Sequence, residues 1–427
     1  MLSIGLMSGT SMDGIDAVLL ETDGTDQQIQ YHAAISLPYH EFSQRLLKSA
    51  EYAVKQCHGD LNQARKRYSL LLKKYLSELF NLSEEEVNKQ IKMLSTYLFG
   101  AAIHDCLITL EDVIQHSTTL HIRAVDLLLK KCGYSAKQID VIGYHGQTLF
   151  HSPETKTSIS IGDGQRLADE TQISVVNDFR GCDIEMGGEG APFAPLYHQA
   201  LVSQSKQCPT AIVNCGGIAN VTFVWDENPL NLIAFDTGPG NTLLDRFVQQ
   251  HTQGKENMDV DGHYGYQGKV HPDILSALYD NAIERPGENY FSKLPPKSLD
   301  VNDFVLIPEL NTLSLENGCR TLAAFTADTI VQSVSLIGKD IPQHWVLAGG
   351  GWKNPVIRLE FETCLQKKLG KPVLIKTADE MGWQSQSLEA QIFAWLAVRS
   401  LKKLPLSMPN TTGVSAPITG GVLHLPG

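Results

Sequence analysis

The chain of 427 residues carries 35 Lys and Arg against 47 Asp and Glu, a formal net charge of −12. A hydrophobic share of 42% with 19% charged residues belongs to a globular chain and excludes a disordered or fibrous one. The acidic balance argues against nucleic acid or an anionic membrane as partner, though not against a phosphate-bearing small molecule held by local backbone amides.

In chain order, a first strand over 3–7 enters the polar turn Ser8-Gly9-Thr10-Ser11-Met12-Asp13-Gly14 and leaves it as a second strand over 15–20. A third strand is predicted from Gln28 to Leu37, stopped by Pro38. Over 42–131 the pattern turns helical. Leu72, Leu76, Leu79 and Phe80 recur at helix spacing, and Ser83-Glu84-Glu85-Glu86 is a capping box opening the next helix. Between Arg45 and Lys92 ten Lys/Arg stand against six Asp/Glu, read as a solvated helical face with a partner-binding surface as the alternative.

A buried strand follows over 139–144, with His145-Gly146-Gln147-Thr148 expected just beyond it. A helix over 164–171 leads to a strand over 173–177 and to Asp178-Phe179-Arg180 at its C-terminal edge, where open α/β sheets meet ligands. The loop Gly187-Gly188-Glu189-Gly190 precedes a helix starting near Pro192. Near 209 the chain begins again. A strand over 210–214 enters Cys215-Gly216-Gly217-Ile218-Ala219-Asn220 and leaves over 221–224, and a third strand ends in Asp236-Thr237-Gly238-Pro239-Gly240-Asn241. A later strand over 345–348 runs into Gly349-Gly350-Gly351, and the stretch 256–303 reads as an elaboration.

Two halves that each open on a glycine-rich hairpin predict a duplicated α/β fold with a cleft between the copies. The first lobe is placed at 1–205 plus about 398–427, with a helical elaboration around 42–131, and the second at 206–397. The cysteines at 57, 106, 132, 182, 208, 215, 319 and 364 form no CxxC pair, which argues against structural zinc or a disulfide framework. No Lys or Arg precedes Arg45 to flank an export signal, and no apolar run is long enough to span a bilayer, so a cytoplasmic setting is expected.

Several segments carry chemistry and also a plainer reading. Small residues over Gly9 to Asp16 let backbone N–H groups face an anion while Asp13 holds a metal on phosphates; an ordinary hairpin turn explains them too. The turns 236–241 and 349–351 admit a ligand against bare backbone, or simply close packing. Asp178 is the candidate general base, unless it is tied up as an ion pair with Arg180, which would weaken its basicity. His145 and Gln147 line the same region or are structural. Glu389, at the start of an apolar helix, is either a dipole partner or a second carboxylate near the metal. Together these turns are what a nucleotide phosphotransferase uses.

The segments Leu6-Met7-Ser8-Gly9-Thr10-Ser11-Met12-Asp13-Gly14-Ile15-Asp16, His145-Gly146-Gln147-Thr148, Val176-Asn177-Asp178-Phe179-Arg180, 214–220, 235–241 and Glu389-Ala390 with 393–397 closely resemble the anhydro-N-acetylmuramic acid kinase family. The resemblance runs in order over most of the chain. It implies a two-domain actin-like ATPase (ribonuclease H-like) fold, ATP and Mg²⁺ as cofactors, and an anhydrosugar as the small-molecule substrate, with a homodimer as the assembly to consider. By the same resemblance Asp178 is the base, and Asp13 and Glu389 are the magnesium ligands. Gly9, Thr10, Ser11, Met12, Asp13, Gly14, Ile15, Asp16, Gly216, Gly217, Asp236, Gly238, Gly240, Asn241, Gly349, Gly350 and Gly351 are expected around ATP, and His145, Gln147, Arg180 and Gly190 around the sugar. A levoglucosan-type anhydrosugar kinase and a non-catalytic nucleotide-binding protein of the same superfamily are the rivals. Three departures from the family pattern are expected: a longer helical region over 55–105, the segment 298–303, and Gln386.

Overall fold

The computed structural model describes residues 1–100, 107–152, 155–284 and 289–427, so Cys106 and parts of the elaborations over 42–131 and 256–303 lie outside the described residues. The first strands β1 (Leu2–Ser8), β2 (Gly14–Thr22) and β3 (Ile29–Pro38) form an antiparallel meander. Helices α1 (Glu41–Gln56), α2 (Leu61–Phe80), α3 (Glu84–Phe99) and α4 (Leu110–Cys132) follow. Then come β4 (Val141–Ser152), β5 (Thr157–Ile161), α5 (Gly164–Thr171), β6 (Val175–Asn177) and the short α6 (Gly181–Glu185).

The next segment holds α7 (Ala194–Ser205), β7 (Thr210–Cys215), β8 (Ile218–Val224), β9 (Ile233–Pro239), α8 (Thr242–His251) and α9 (Pro272–Asn281). It continues with α10 (Leu315–Gln332), β10 (His344–Ala348), α11 (Pro355–Leu369) and β11 (Leu374–Thr377), before α12 (Leu388–Leu401) and β12 (Val422–His424) end the chain.

The chain divides into two units: Met1–Gly190 with Ser387–Ser407 and Val414–Gly427, and Ala191–Gln386 with Met408–Gly413. In the first, the sheet order is β12-β6-β4-β1-β2-β3 with β5 paired to β4, and β4 runs parallel to β1 and β6 to β4. In the second, the order is β11-β10-β7-β8-β9, with β10 parallel to β7 and β11 to β10. Apart from β12 and β5, both sheets are an antiparallel meander extended by parallel strands on the side of its first strand. The duplication read from the two hairpins is therefore a duplication of topology, that of the two-domain actin-like fold.

The boundaries differ from those expected at 205 and 397, and the reason is packing. Side chains alternate faces along a strand. Ile4 and Leu6 of β1 enter the core with α1, α2 and α4, while Ser3 and Gly5 face α12. A Cβ on Gly5 would lie 1.8 Å from the Ala390 carbonyl, and one on Gly143 of β4 would lie 2.0 Å from that of Phe393. Two glycines thus let α12 lie on the first sheet, which makes it part of the first unit.

The helices start where the sequence caps them. Asp60 accepts from the Gln63 N–H, Ser83 and Glu86 form the expected capping box, and Thr109 with Asp112 forms another. Each such cap is worth about 1 kcal/mol. Among the described residues no helix is long and apolar enough to cross a membrane.

Candidate active site

His145, Gly146 and Gln147 do not follow a strand. They lie inside β4, which runs on to Ser152 and pairs with β5. The register shift between Thr148 and Phe150, and Gly146 at φ +72°, break the alternation that would have revealed a longer strand. One consequence is that Gln147 is fully buried. Its Oε1 accepts from Ser8 Oγ at 2.5 Å and its Nε2 donates to the Gly9 carbonyl at 3.1 Å. Gln147 therefore fixes the first hairpin turn rather than facing a sugar.

In that turn Met12 adopts φ +54°, its N–H donating to the Gly9 carbonyl, and Ser11 Oγ donates to Asp13 Oδ1 at 2.9 Å. Thr10, Ser11 and Asp13 are exposed, whereas Met12 and Ile15 are buried in the core. The side chains of Met12 and Ile15 anchor the turn in the core. Gly14 packs tightly on β3, where a Cβ would meet the Leu37 carbonyl at 2.7 Å.

A pocket of about 220 Å³ in the first unit is lined by His145, Gly146, Asp178 and Arg180, together with Leu61, Ser158 and Ser160. Asp178 ends β6 in the left-handed region at φ +46°, a conformation that Asp and Asn tolerate better than other residues. Its side chain is exposed, and Oδ1 accepts from the Gly181 N–H at 3.1 Å. Among the described residues it forms no ion pair with Arg180. The guanidinium instead donates to the Gly190 carbonyl and, at 3.3 Å, to His145 Nε2. Gly190 is placed by buried Asp183, which accepts its N–H at 2.7 Å. Burial pushes Arg180 down to about 10 against the pull of Asp183 and Glu389, so it stays charged at neutral pH.

Close to this group stand Asp13, Asp16 and Glu389. Glu389 occupies the first turn of α12 with an exposed side chain; surrounding protein, Asp16 and Asp13 raise its pKa while Arg180 lowers it. The Asp16 carboxyl is also raised, by burial and by Asp13, with Ser36 opposing. No set of three His, Cys, Asp or Glu among the described residues is arranged to ligate one ion. Mg²⁺ commonly takes only one or two carboxylates and completes its octahedron with phosphate oxygens and water, so the hard oxygens of Asp13 and Glu389 fit it.

The second unit carries the other predicted turns, and they interlock. The Gly217 carbonyl accepts from the Gly240 N–H and Thr242 Oγ1, and the Gly216 carbonyl accepts from the Asn241 N–H. A Cβ on Gly240 would lie 1.9 Å from the Gly216 carbonyl, and one on Gly351 would meet Cys215 Sγ at 2.4 Å. Gly350 has open space on its Cβ side, and Gly349 adopts φ +94°. Gly238 packs against Thr329. Asp236 accepts from the Leu299 N–H at 2.8 Å, and its charge supports buried Lys297, which burial lowers to about 8.

Sequence reasoning missed three residues here. Lys297 lies outside every glycine motif. Asp245, in the first turn of α8, is pushed up to about 7 by burial and by Asp259, and accepts from Asn241 Nδ2 at 2.9 Å. The third is Leu61, which reaches the Asp178 pocket from the helical region.

A sequence model of the family described as anhydro-N-acetylmuramic acid kinase matches residues 1–97 and 101–426. Proteins named anhydro-N-acetylmuramic acid kinase are similar along their whole length. Those of Nitrobacter winogradskyi and Rhodopseudomonas palustris are 37% and 38% identical, covering 100% of both chains, and that of Zymomonas mobilis is 38% identical, covering 99% of this chain and 100% of its own. The helical region over 55–105 was expected to exceed the family's usual length. The family match runs through most of this region, with a break at 98–100. Component A of the Acidaminococcus fermentans (R)-2-hydroxyglutaryl-CoA dehydratase is 10% identical with a TM-score of 0.41, covering 94% of this chain and 100% of its own.

Proposed function

The chain belongs to the anhydro-N-acetylmuramic acid kinase family, and from that premise we infer that Asp178 is the base of its reaction. The enzyme uses ATP to open 1,6-anhydro-N-acetylmuramic acid and phosphorylate O6, giving N-acetylmuramic acid 6-phosphate and ADP in peptidoglycan recycling. O6 of this sugar is tied to C1, so no free 6-hydroxyl exists and hydrolysis must be coupled to phosphorylation. Asp178 takes a proton from water, whose oxygen bonds to C1. The C1–O6 bond breaks, O6 takes the γ-phosphoryl group, and ADP leaves.

One observation supports the base assignment. The Asp178 carboxylate stands exposed at a pocket, held by the Gly181 amide and not neutralised by Arg180. A general base in such a position contributes about 10²–10⁴-fold to rate. Phosphoryl transfer otherwise asks for positioning and charge neutralisation. In the first unit the backbone N–H groups of Gly9, Thr10 and Ser11, and in the second those of Gly217 and Gly350, are the phosphate and nucleotide contacts we assign; the Gly216 N–H is taken by the Ile218 carbonyl. Asp13 and Glu389 would hold Mg²⁺, which when bound neutralises phosphate charge. ATP as co-substrate makes the cytoplasm the setting we propose.

The test is ADP formation by the purified chain with 1,6-anhydro-N-acetylmuramic acid and with levoglucosan. N-acetylmuramic acid 6-phosphate should accumulate with the first sugar. A higher kcat/KM for levoglucosan would overturn the substrate, and no ADP with either would overturn the reading.

A further inference from the structure

We propose that Leu61 and Ser160 of β5 form the subsite for the non-reacting substituents of the sugar, which makes the α1–α2 turn a specificity element of the Asp178 pocket. The proposal rests on the function just given. Leu61 opens α2 and lines the same pocket of about 220 Å³ as Asp178 and Arg180, although it comes from the helical region rather than from the sheet.

The turn that carries Leu61 is fixed on both sides. Asp60 Oδ1 accepts from the Gln63 N–H at 3.0 Å, setting the first turn of α2. Gly59 adopts φ +82°, and a Cβ there would meet the Phe150 ring at 2.8 Å and Thr157 Cγ2 at 3.2 Å. The turn is thus seated on the β4–β5 hairpin, and only glycine permits that approach.

Ser158, Ile159 and Ser160 of β5 line the same pocket as Leu61. Ser160 is exposed and shares one hydrogen bond with Thr148 Oγ1 at 3.0 Å, so its hydroxyl has spare capacity. Ser158 Oγ has no hydrogen-bond partner but is closed off from solvent, which leaves Ser160 as the hydroxyl open to a ligand. An aliphatic wall beside that hydroxyl complements a group that carries a methyl next to a polar centre. The acetamido and lactyl ether substituents of the muramic sugar are of that kind. Levoglucosan bears only hydroxyls.

The experiment uses the full chain with Leu61→Trp, Leu61→Ala and Ser160→Ala, and follows both sugars; levoglucosan is read as a competitive inhibitor where its turnover is too slow. Leu61→Trp narrows the wall and should raise KM for the muramic sugar about 10-fold or more, with kcat within about 3-fold and the levoglucosan constant within about 2-fold. Leu61→Ala and Ser160→Ala should each raise the same KM about 3-fold or more. They carry the test if melting shows that the tryptophan variant does not fold. Equal losses for both sugars, or an unchanged KM in all three variants, would overturn the subsite. A wild-type chain active on neither sugar would bring down the function it rests on and the subsite with it.

Discussion

Arg180 donates to Nε2 of His145 at 3.3 Å, and that contact decides which ring nitrogen carries the proton. A guanidinium has only donors, so Nε2 is the acceptor and Nδ1–H donates to the Gly146 carbonyl at 3.0 Å. Burial first, then Arg180, push His145 down to about 3, so the imidazole is neutral at any working pH and is no proton donor to the reaction. Arg180→Lys loses the planar fork and cannot serve Gly190 and His145 together. We expect kcat/KM to fall about 10–100-fold. Arg180→Gln removes the charge, so histidine ring NMR of that variant should show a rise in the His145 pKa, and an unchanged titration would refute the contact.

Asp178→Asn should keep the hydrogen bond from the Gly181 N–H, because the amide oxygen still accepts there. The fold and ATP binding should therefore persist while turnover drops on the order of 10³-fold. Calorimetric titration with ATP and a product assay separate the two effects. Near-normal turnover would remove Asp178 from the chemistry.

What the sequence disclosed and what it hid follow from one distinction. Strand, glycine turn and strand are local signals, so both meanders, the capping box at Ser83 and Glu86, and the strand-end position of Asp178 are legible. The seating of α12 on the first sheet depends on Gly5 and Gly143 meeting Ala390 and Phe393, hundreds of residues away, and no local pattern marks it. The same holds for Leu61 beside Asp178, for Lys297 beside Asp236, and for the burial that turns Gln147 from a candidate ligand into a brace for the first turn.

Gly143→Ala tests that seating. Its new Cβ would lie 2.0 Å from the Phe393 carbonyl, a backbone atom that can yield only by moving α12. Overpacking of this kind costs about 3 kcal/mol or more when backbone must shift. Glu389 moves with the helix, so under the proposed Mg²⁺ role a lower melting temperature should be accompanied by a higher Mg²⁺ concentration for half-maximal turnover. Unaltered melting would mean that α12 does not lie against β4 as described.

Acid should destabilise the fold through its buried histidines. His121 is pushed down to about 4 by burial, with its Nδ1 on the Ser117 carbonyl at 2.8 Å, and His198 is likewise lowered to about 4. A neutral buried histidine binds no proton where the unfolded chain does. Stability is therefore intact above about pH 6.5 and lost as pH falls from there towards 4, by at most about 1.4 kcal/mol per pH unit for each group. Urea unfolding of His121→Leu between pH 7 and 4.5 should show a slope smaller by up to about one proton. An equal slope in both proteins would contradict a neutral His121.

Asp245 carries the opposite sign. Burial and Asp259 hold its carboxyl at about 7, so the folded state keeps a proton that the unfolded chain releases near pH 4. Its penalty is absent below about pH 4 and grows as pH rises towards 7. Asp245→Asn retains an oxygen to accept from Asn241 Nδ2 and removes the charge facing Asp259. The variant should be more stable than the parent by about 1–2 kcal/mol at pH 8 and indistinguishable from it at pH 4. Because Asn241 is bonded to the Gly216 carbonyl, the same substitution should also flatten any pH dependence of KM for ATP between pH 6 and 8. Denaturant melts at the two pH values decide the first point, and a variant that is less stable at pH 8 would show that the Asp245 carboxylate is held as an anion.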